Sequence, residues 1–531
     1  MHRPLLFAIA AANVAAEQIR LAPPDHHVFE WPIQDVAIVG AGASGLLSYR
    51  ELLDSNQFNR IRIFERDFVP GGNWHYSDET AGKVNIAQGA TDNWWKGDYE
   101  PSGEGSKKVV HKINGSNALE KERIAHRLPK PIWKTLRANT PNPQQQIPGF
   151  SWPPGLEWAS HHSALSRYLR SFASWLGINT GDDTNAVVYN TRVESITKRY
   201  VRGKHHGWTL LLREYVKTQD AYEETYWTED FDAVVIASGR FNVPHIPAIP
   251  GLTEWQSRFP DNIQHSREYR DAETIKGKNV VVVGASASAT GISVDINAWV
   301  NKSYLSVRAS SDDPRAPIGR ATSLSLVPPN TTIIGEIGVF HPILPEEGFK
   351  QGKIELLDGT IITDIDQIIF GTGYRYAFPF LSQYHNTSSS RDGEDHPIVT
   401  DGFYVENLHL DVFYIDQPTI AFQGQNVGIQ TFVYGKYVGQ AIASVWSGRA
   451  HIPSKATMRQ IFSDVVERRG GLKKGFQWLN GQENDRMLQY FVAWLNQAAL
   501  ESGGKLLETP RNVYIHSEAA WYELMDSEPR R

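Results

Sequence analysis

VAIVGAGASGLLSYRELLDSNQFNRIRIFE, residues Val36 to Glu65, sets the architecture of this chain. It reads as a buried strand, a glycine turn, a helix and a second strand that stops on a carboxylate. Gly40, Gly42 and Gly45 stand in GxGxxG spacing directly after the apolar run, and Glu65 lies 20 residues beyond Gly45. The first glycine permits a tight turn, the second lets the backbone approach a pyrophosphate, and the third lets helix and strand pack closely. The helix begins near Ala43 and Ser44, so its free N–H groups and the positive end of its dipole face the phosphates. Glu65 would accept a hydrogen bond from a ribose hydroxyl. The alternative is a glycine turn in an ordinary α/β protein.

The chain has 531 residues, enough for about three domains of ordinary size. A net charge of −6 gives no reason to expect nucleic acid or an anionic membrane as partner. Cysteine is absent, which excludes disulfides, thiolate metal sites, a catalytic cysteine and a CxxC redox pair. The opening MHRPLLFAIAAANVAAE has the outline of a secretory signal peptide, with a frayed alanine-rich helix as the alternative. The expected location is therefore the secretory pathway or the cytoplasm. No stretch reaches the roughly 18 apolar residues of a membrane span. Neither GxSxG nor HExxH occurs, and the pairs His26-His27, His161-His162 and His205-His206 read as solvated or structural rather than metal-ligating.

After Glu65, Gly72, Asn73 and Trp74 in RDFVPGGNWHY suit a loop lying against a bound ring system. Residues 76 to 130 are polar with little periodicity and read as a long loop or insertion. In IWKTLRANTPNP, Asn139 sits in a turn bounded by Pro141 and Pro143; it could offer an amide to a ligand or simply close the turn. His162 to Leu176 has the spacing of an amphipathic helix. Val187 to Ile196, Trp208 to Tyr215 and the stretch near Thr225 suggest a small antiparallel meander. FDAVVIASG, Phe231 to Gly239, is another buried strand, and the proline-rich VPHIPAIPG marks a domain boundary.

Asn279 to Asp295, NVVVVGASASATGISVD, repeats the opening pattern. Gly284, Ser286, Ser288, Ala289, Thr290 and Gly291 are small, as a pyrophosphate at a helix N-terminus requires. Two dinucleotide folds imply two dinucleotides. The strand expected over Ser303 to Val307 ends at Arg308, with Ser310 and Ser311 behind it, where an NAD site would carry an acid. A guanidinium there suits the 2′-phosphate of NADP; an exposed loop arginine is the plainer reading. DQIIFGTGYRYAFPFL, Asp366 to Leu381, adds a last buried strand and a glycine loop through Thr372 and Gly373. Ala421 to Gly424 and a helix from Tyr434 to Trp446 return the chain to the first domain, and the remainder reads as helical and polar.

Together these landmarks resemble the single-component, NADPH-dependent flavin-containing monooxygenases. That family places a fingerprint FxGxxxHxxxY/F, followed by Lys or Arg, between its two glycine motifs. Phe259, His265, Tyr269 and Arg270 match it in FPDNIQHSREYR, with Asp261 where the family has glycine. Phe370 to Tyr374 matches a FATGY-type element with Gly371 for alanine, and Ser286 replaces the middle glycine of the second motif. The resemblance covers about residues 33 to 460. It implies FAD on the first motif, NADPH on the second, and Asn139 beside flavin and nicotinamide as the catalytic residue. It implies a small-molecule thiol, thioether or amine as substrate with O2, oxygenated through a C4a-hydroperoxide of the flavin, and it admits a homodimer.

The expected architecture is α/β, with two dinucleotide-binding domains, the NADP domain inserted into the FAD domain, and a small antiparallel meander. Its segments are an N-terminal extension (1–32), a leading FAD-domain segment (33–242), the NADP domain (243–358), a closing FAD-domain segment (359–460) and a C-terminal helical extension (461–531). The dithiol route of reductases of similar architecture is closed without cysteine, which leaves oxygen as the simplest electron acceptor. Two alternatives remain. A Baeyer–Villiger monooxygenase shares both glycine motifs but carries Trp where this chain has Tyr269-Arg270. A non-catalytic nucleotide-binding flavoprotein would account for Asp261 and Ser286.

Overall fold

The computed structural model of the chain describes residues 25–85, 106–113, 117–308, 320, 323–385, 395–479 and 481–508. The signal-like N-terminus, Ser310 and Ser311 lie outside them. The chain opens with β1 (Asp35–Val39), α1 (Ala43–Ser55) and β2 (Arg60–Phe64). Within 76–130, where the sequence predicts only a loop, it forms β3 (Lys107–Lys112) and α2 (Asn117–Arg127). β3 carries lysine at three of six positions, so it has no apolar period of its own. It is a strand through its antiparallel pairing with the later strand Ala221–Phe231 and lies at the sheet edge, where charge is tolerated.

Next come α3 (His162–Trp175) and β4 (Val187–Val188). The meander is longer than predicted, with β5 (Thr191–Val201), β6 (Lys204–Lys217) and β7 (Ala221–Phe231), and β3 makes it a four-stranded sheet in the order β3-β7-β6-β5. β8 (Ala233–Ile236) re-enters the first sheet, and β9 (Val243–Pro244) leads away from it.

The second unit contains α4 (Leu252–Arg258), β10 (Ile263–His265), β11 (Asn279–Val283), α5 (Ala287–Ile296), β12 (Lys302–Ser306) and β13 (Thr332–Ile334). A hairpin layer of β14 (Ile337–Phe340), β15 (Ile354–Leu356) and β16 (Ile361–Ile362) precedes β17 (Gln367–Phe370). The chain returns through β18 (Tyr374–Arg375) to β19 (Leu408–His409), β20 (Phe413–Tyr414) and β21 (Ile420–Phe422), then α6 (Thr431–Trp446), α7 (Lys455–Arg468) and α8 (Gly481–Ser502).

The first sheet runs β19-β20-β21-β8-β1-β2-β4 and the second β10-β17-β11-β12-β13. Every strand of the second falls between β8 and β19 of the first, so one dinucleotide fold is inserted into the other. Val36, Ala37 and Ile38 are 0% exposed, as are Val280, Val281 and Val282. Continuous apolar runs without polar alternation are what parallel strands covered on both faces require. The two crossings between the halves, β9 and β18, pair with each other (Tyr374 with Pro244, Arg375 with Val243), so the proline linker is one strand of a two-stranded hinge.

Two boundaries move. β12 ends at Ser306, so Arg308 stands two residues past the strand rather than at its tip. The C-terminal region is not simply polar: α8 buries Leu488, Phe491, Val492 and Leu495, one stripe at helical spacing, in the same core as α1 and α6.

Candidate functional site

The first cradle is built by close backbone contact. Gly40 turns at φ +101°, and a Cβ there would lie 2.9 Å from the Ala237 carbonyl oxygen. A Cβ on Gly45 would come within 1.8 Å of Gly40 O, so Gly45 packs α1 onto the strand and does not reach a ligand. Gly72, at φ +57°, approaches so closely that its Cβ would meet Gly42 Cα at 2.9 Å. Residues Gly72, Asn73 and Trp74 thereby form one wall over the helix start. Gly42 caps α1 without a side-chain hydrogen bond, leaving the first N–H groups directed at the cavity.

Glu65 is 5% exposed, with both carboxylate oxygens oriented by backbone donors: Oε2 accepts from Ala41 N at 2.7 Å and Oε1 from Asp67 N at 2.8 Å. Each oxygen keeps a lone pair, so a ribose hydroxyl can still donate to this carboxylate.

The second cradle repeats the design with different packing atoms. Ser286 caps α5, again without a side-chain bond. Ala289 is 0% exposed and, contrary to its expected role as a cofactor contact, lies beneath Gly371. A Cβ on Gly371 would fall 2.7 Å from Ala289 Cα and Cβ. Gly291, by contrast, faces the cavity beside Trp133.

The fingerprint residues tie the hinge together. His265 is 0% exposed; its Nδ1 accepts from Arg267 N at 3.1 Å, and its Nε2 donates to Gly373 O at 3.1 Å. Burial, aided by the Arg267 charge, pushes this imidazole down to about 3, so it is a neutral strut. His245 N donates to the same Gly373 carbonyl at 2.8 Å. Thr372 Oγ1 donates to His245 O. Tyr269 donates to Asp295 on α5, and Arg270 donates to the carbonyls of Ser77 (3.2 Å) and Glu79 (3.0 Å), fastening the loop after Trp74. Asp261, where the resemblance expects glycine, is not among the residues of positive φ, so the turn does not need one. Its carboxylate meets Lys83 at 3.1 Å.

Both cradles open into one cavity of about 3350 Å³. Single small-molecule sites occupy roughly 300–1,000 Å³, so this space admits more than one large ligand. Every residue singled out from the sequence as a site residue lines it, except Gly45 and Ala289. Asn139 is in the wall, on a turn fixed by three backbone bonds: Ala138 N to Ser160 O (2.8 Å), His162 N to Leu136 O (2.9 Å) and Asn142 N to Trp158 O (3.0 Å). Asn142, through Nδ2 to Glu157 O at 2.7 Å, closes that turn. Asn139 has only a 3.5 Å contact from Thr140 Oγ1 among the described residues, so its amide is available to a ligand.

Sequence reasoning missed a third glycine loop, Gly424 to Thr431, at the start of α6. A Cβ on Gly424 would lie 2.4 Å from Ser44 Oγ, so this loop closes over the first cradle. The run of small and polar residues in QGQNVGIQT ahead of an apolar helix was the available signal. Lys473 and Lys474, after α7, were also missed and also line the cavity. Among the described residues no group of three or more His, Asp or Glu could hold a metal ion, and no helix is long and apolar enough to cross a membrane. His161 and His162 both contact the Lys134 carbonyl.

The cradles fit two dinucleotides on their own geometry: uncapped helix starts, glycines whose Cβ atoms would collide with the backbone of the turns that shape each cradle, and a backbone-held acid at the ribose position. Comparison with known proteins agrees. Residues 129–312 match the model described as flavin-binding monooxygenase-like. The chain is 41% identical over 91% of its length to flavin-containing monooxygenase iboF of Amanita muscaria, covering 91% of that protein. It is 23% identical over 73% of its length to the thiol-specific monooxygenase of Saccharomyces cerevisiae, covering 71% of it. The S-allyl-L-cysteine S-oxygenase of Allium sativum shares the fold at a TM-score of 0.63, with 24% identity over 93% of this chain and 94% of that one.

Proposed function

Because this chain belongs to the flavin-containing monooxygenase family, and is an FAD- and NADPH-dependent monooxygenase, we propose that it transfers one oxygen atom of O2 to a soft nucleophile of a small molecule, a thiol, thioether or amine. The observation that carries this reading is the single cavity joining both cradles, with the uncommitted amide of Asn139 in its wall. When bound, the flavin supplies the oxygen activation and NADPH the electrons.

The protein's own role is positioning and exclusion. The uncapped starts of α1 and α5 bind the two pyrophosphates, Gly42 allows the backbone of the first cradle to approach its pyrophosphate, Gly284 makes the tight turn of the second at φ +134°, and Glu65 orients a ribose. Trp74 and the Gly424 loop cover the first cradle and limit water there. Asn139 presents a neutral donor and acceptor held by its pinned turn, so it can orient a reacting group without delivering a proton to it. A soft nucleophile needs no base of the protein to attack an electrophilic oxygen, so this site requires no catalytic triad. The yeast relative named as thiol-specific supports the sulfur side of the proposal.

Incubating the FAD-loaded protein with NADPH, air and, in turn, a thiol, a thioether, a tertiary amine and a cyclic ketone tests it. Sulfur or nitrogen oxygenation without lactone is expected. Lactone as the main product would replace this reading with the Baeyer–Villiger one, and a flavin that anaerobic NADPH fails to bleach would remove both.

A further inference from the structure

The sequence places one cation, Arg308, near the adenosine end of the second cradle. Lys474 and His245, from distant parts of the chain, share its cavity and lie within reach of its charge. Lys474 follows α7 and lines the same cavity as Arg308 and His245. Phe403 is the hub: Lys474 Nζ lies 5.6 Å from its ring centroid, the Arg375 guanidinium 5.4 Å, and the His245 ring stands edge-on at 4.9 Å. Burial and then the charges of Arg308 and Arg375 push the Lys474 ammonium down to about 8. Burial and the charges of Lys474, Arg375 and Arg308 push His245 down to about 3. Lys473 lies in the same wall, and Asp401 is the carboxylate acting on Arg375.

Lys474 stands on a rigid platform rather than a loose tail. Arg469, 4% exposed at its side chain, pairs with Asp411 at 3.1 Å and donates to Phe476 O at 3.2 Å. Gln477 bonds the backbone of Val405 on both sides, at 2.6 and 3.2 Å, and Val427 N donates to Gln477 O. The platform thus belongs to the FAD-binding half, whereas Arg308 belongs to the inserted half. Like charges fixed across a cavity repel, and an anion of two charges between them turns that repulsion into attraction. Arg308 lies just past the strand that follows the second cradle's helix, which is where a dinucleotide fold presents its 2′ substituent.

We propose that Lys474 and Arg308, one cation from each half of the chain, jointly hold the 2′-phosphate of NADPH, so that the segment after α7 belongs to the coenzyme site. This rests on the NADPH reading of the second cradle. It makes the C-terminal segment a determinant of NADPH over NADH, and it makes coenzyme binding draw the two halves together.

The test is calorimetric titration of the FAD-loaded protein with adenosine 2′,5′-bisphosphate and with AMP. Lys474→Met should lose roughly tenfold or more in affinity for the bisphosphate, the size of one charged hydrogen bond, and stay within about twofold for AMP. Lys474→Arg should restore the bisphosphate affinity. At pH 8 the native protein should take up protons on binding the bisphosphate, because the phosphate raises the lysine's affinity for a proton; Lys474→Arg should bind without that uptake. If Lys474→Met leaves bisphosphate affinity unchanged while Arg308→Ala reduces it, the lysine has no part in the site and the NADP reading of Arg308 survives. If neither substitution matters, both fall.

Discussion

The second cradle carries a steric exchange that can be measured. At the position of the third glycine of the GxGxxG pattern this chain has Ala289, and at the position where its family resemblance predicts alanine it has Gly371. A Cβ on Gly371 would stand 2.7 Å from Ala289 Cα and Cβ and 2.8 Å from its N, and the Cα and N are helix backbone atoms that cannot rotate away. One methyl has been moved across a contact. Gly371→Ala alone should therefore overpack the site at the upper end of the usual cost, about 3 kcal/mol. Ala289→Gly alone should cost about 1 kcal/mol, the penalty of glycine in a helix.

Removing the Ala289 Cβ relieves one of these three contacts and leaves those to Cα and N, so the double variant should recover only part of the overpacking, with a coupling of roughly 1 kcal/mol. In a folded unit of ordinary size 1 kcal/mol corresponds to about 2–4 °C. Gly371→Ala should thus lower Tm by roughly 6–12 °C and the double variant by about the same amount, short of the roughly 8–16 °C of two independent changes. The assay is thermal unfolding of the FAD-loaded proteins, with NADP affinity measured alongside, since the same contact sets the distance between α5 and the glycine loop. Effects that simply add, to within about 0.5 kcal/mol, would show that the two positions do not share the space and would refute the exchange.

Gly42→Val should place its side chain in the pyrophosphate space and yield folded but colourless protein; a purified variant with a full complement of FAD would contradict that placement. Arg308→Ala should raise the KM for NADPH at least tenfold and leave NADH nearly unchanged, as steady-state kinetics with both coenzymes will show. Asn139→Ala should keep NADPH oxidation while diverting reducing equivalents to hydrogen peroxide, and unchanged coupling of product to NADPH would remove this side chain from the site. Acid stability carries a sign that follows from His265. Its folded affinity for a proton is depressed to about 3, below the ordinary 6.5, so the unfolded chain binds the extra proton between these values. The native state should lose about 1.4 kcal/mol per pH unit from this group alone as pH falls from 6.5 towards 3, and His265→Gln should flatten that slope in denaturant titrations.

Both cradles were legible in the order of amino acids alone, because a tight turn, a backbone approach to phosphate and a helix start are local demands met within about ten residues. Val36 to Glu65 and Asn279 to Asp295 could be read that way without any knowledge of packing, and so could the closure of dithiol chemistry by the lack of cysteine. How those pieces meet was left to long-range packing. β3 is a strand paired with β7; Ala289 is buried in the core of the second cradle with Gly371 packed on it; the hinge exists because Val243 and Arg375, more than a hundred residues apart, pair across it. The placement of Lys474 follows the same logic, since Lys474 and Arg308 line one cavity with no local pattern linking them. Local steric rules act through neighbours in the chain and leave a motif, whereas contacts made by chain closure depend on which surfaces the packed cores bring together, and those leave no spacing to read.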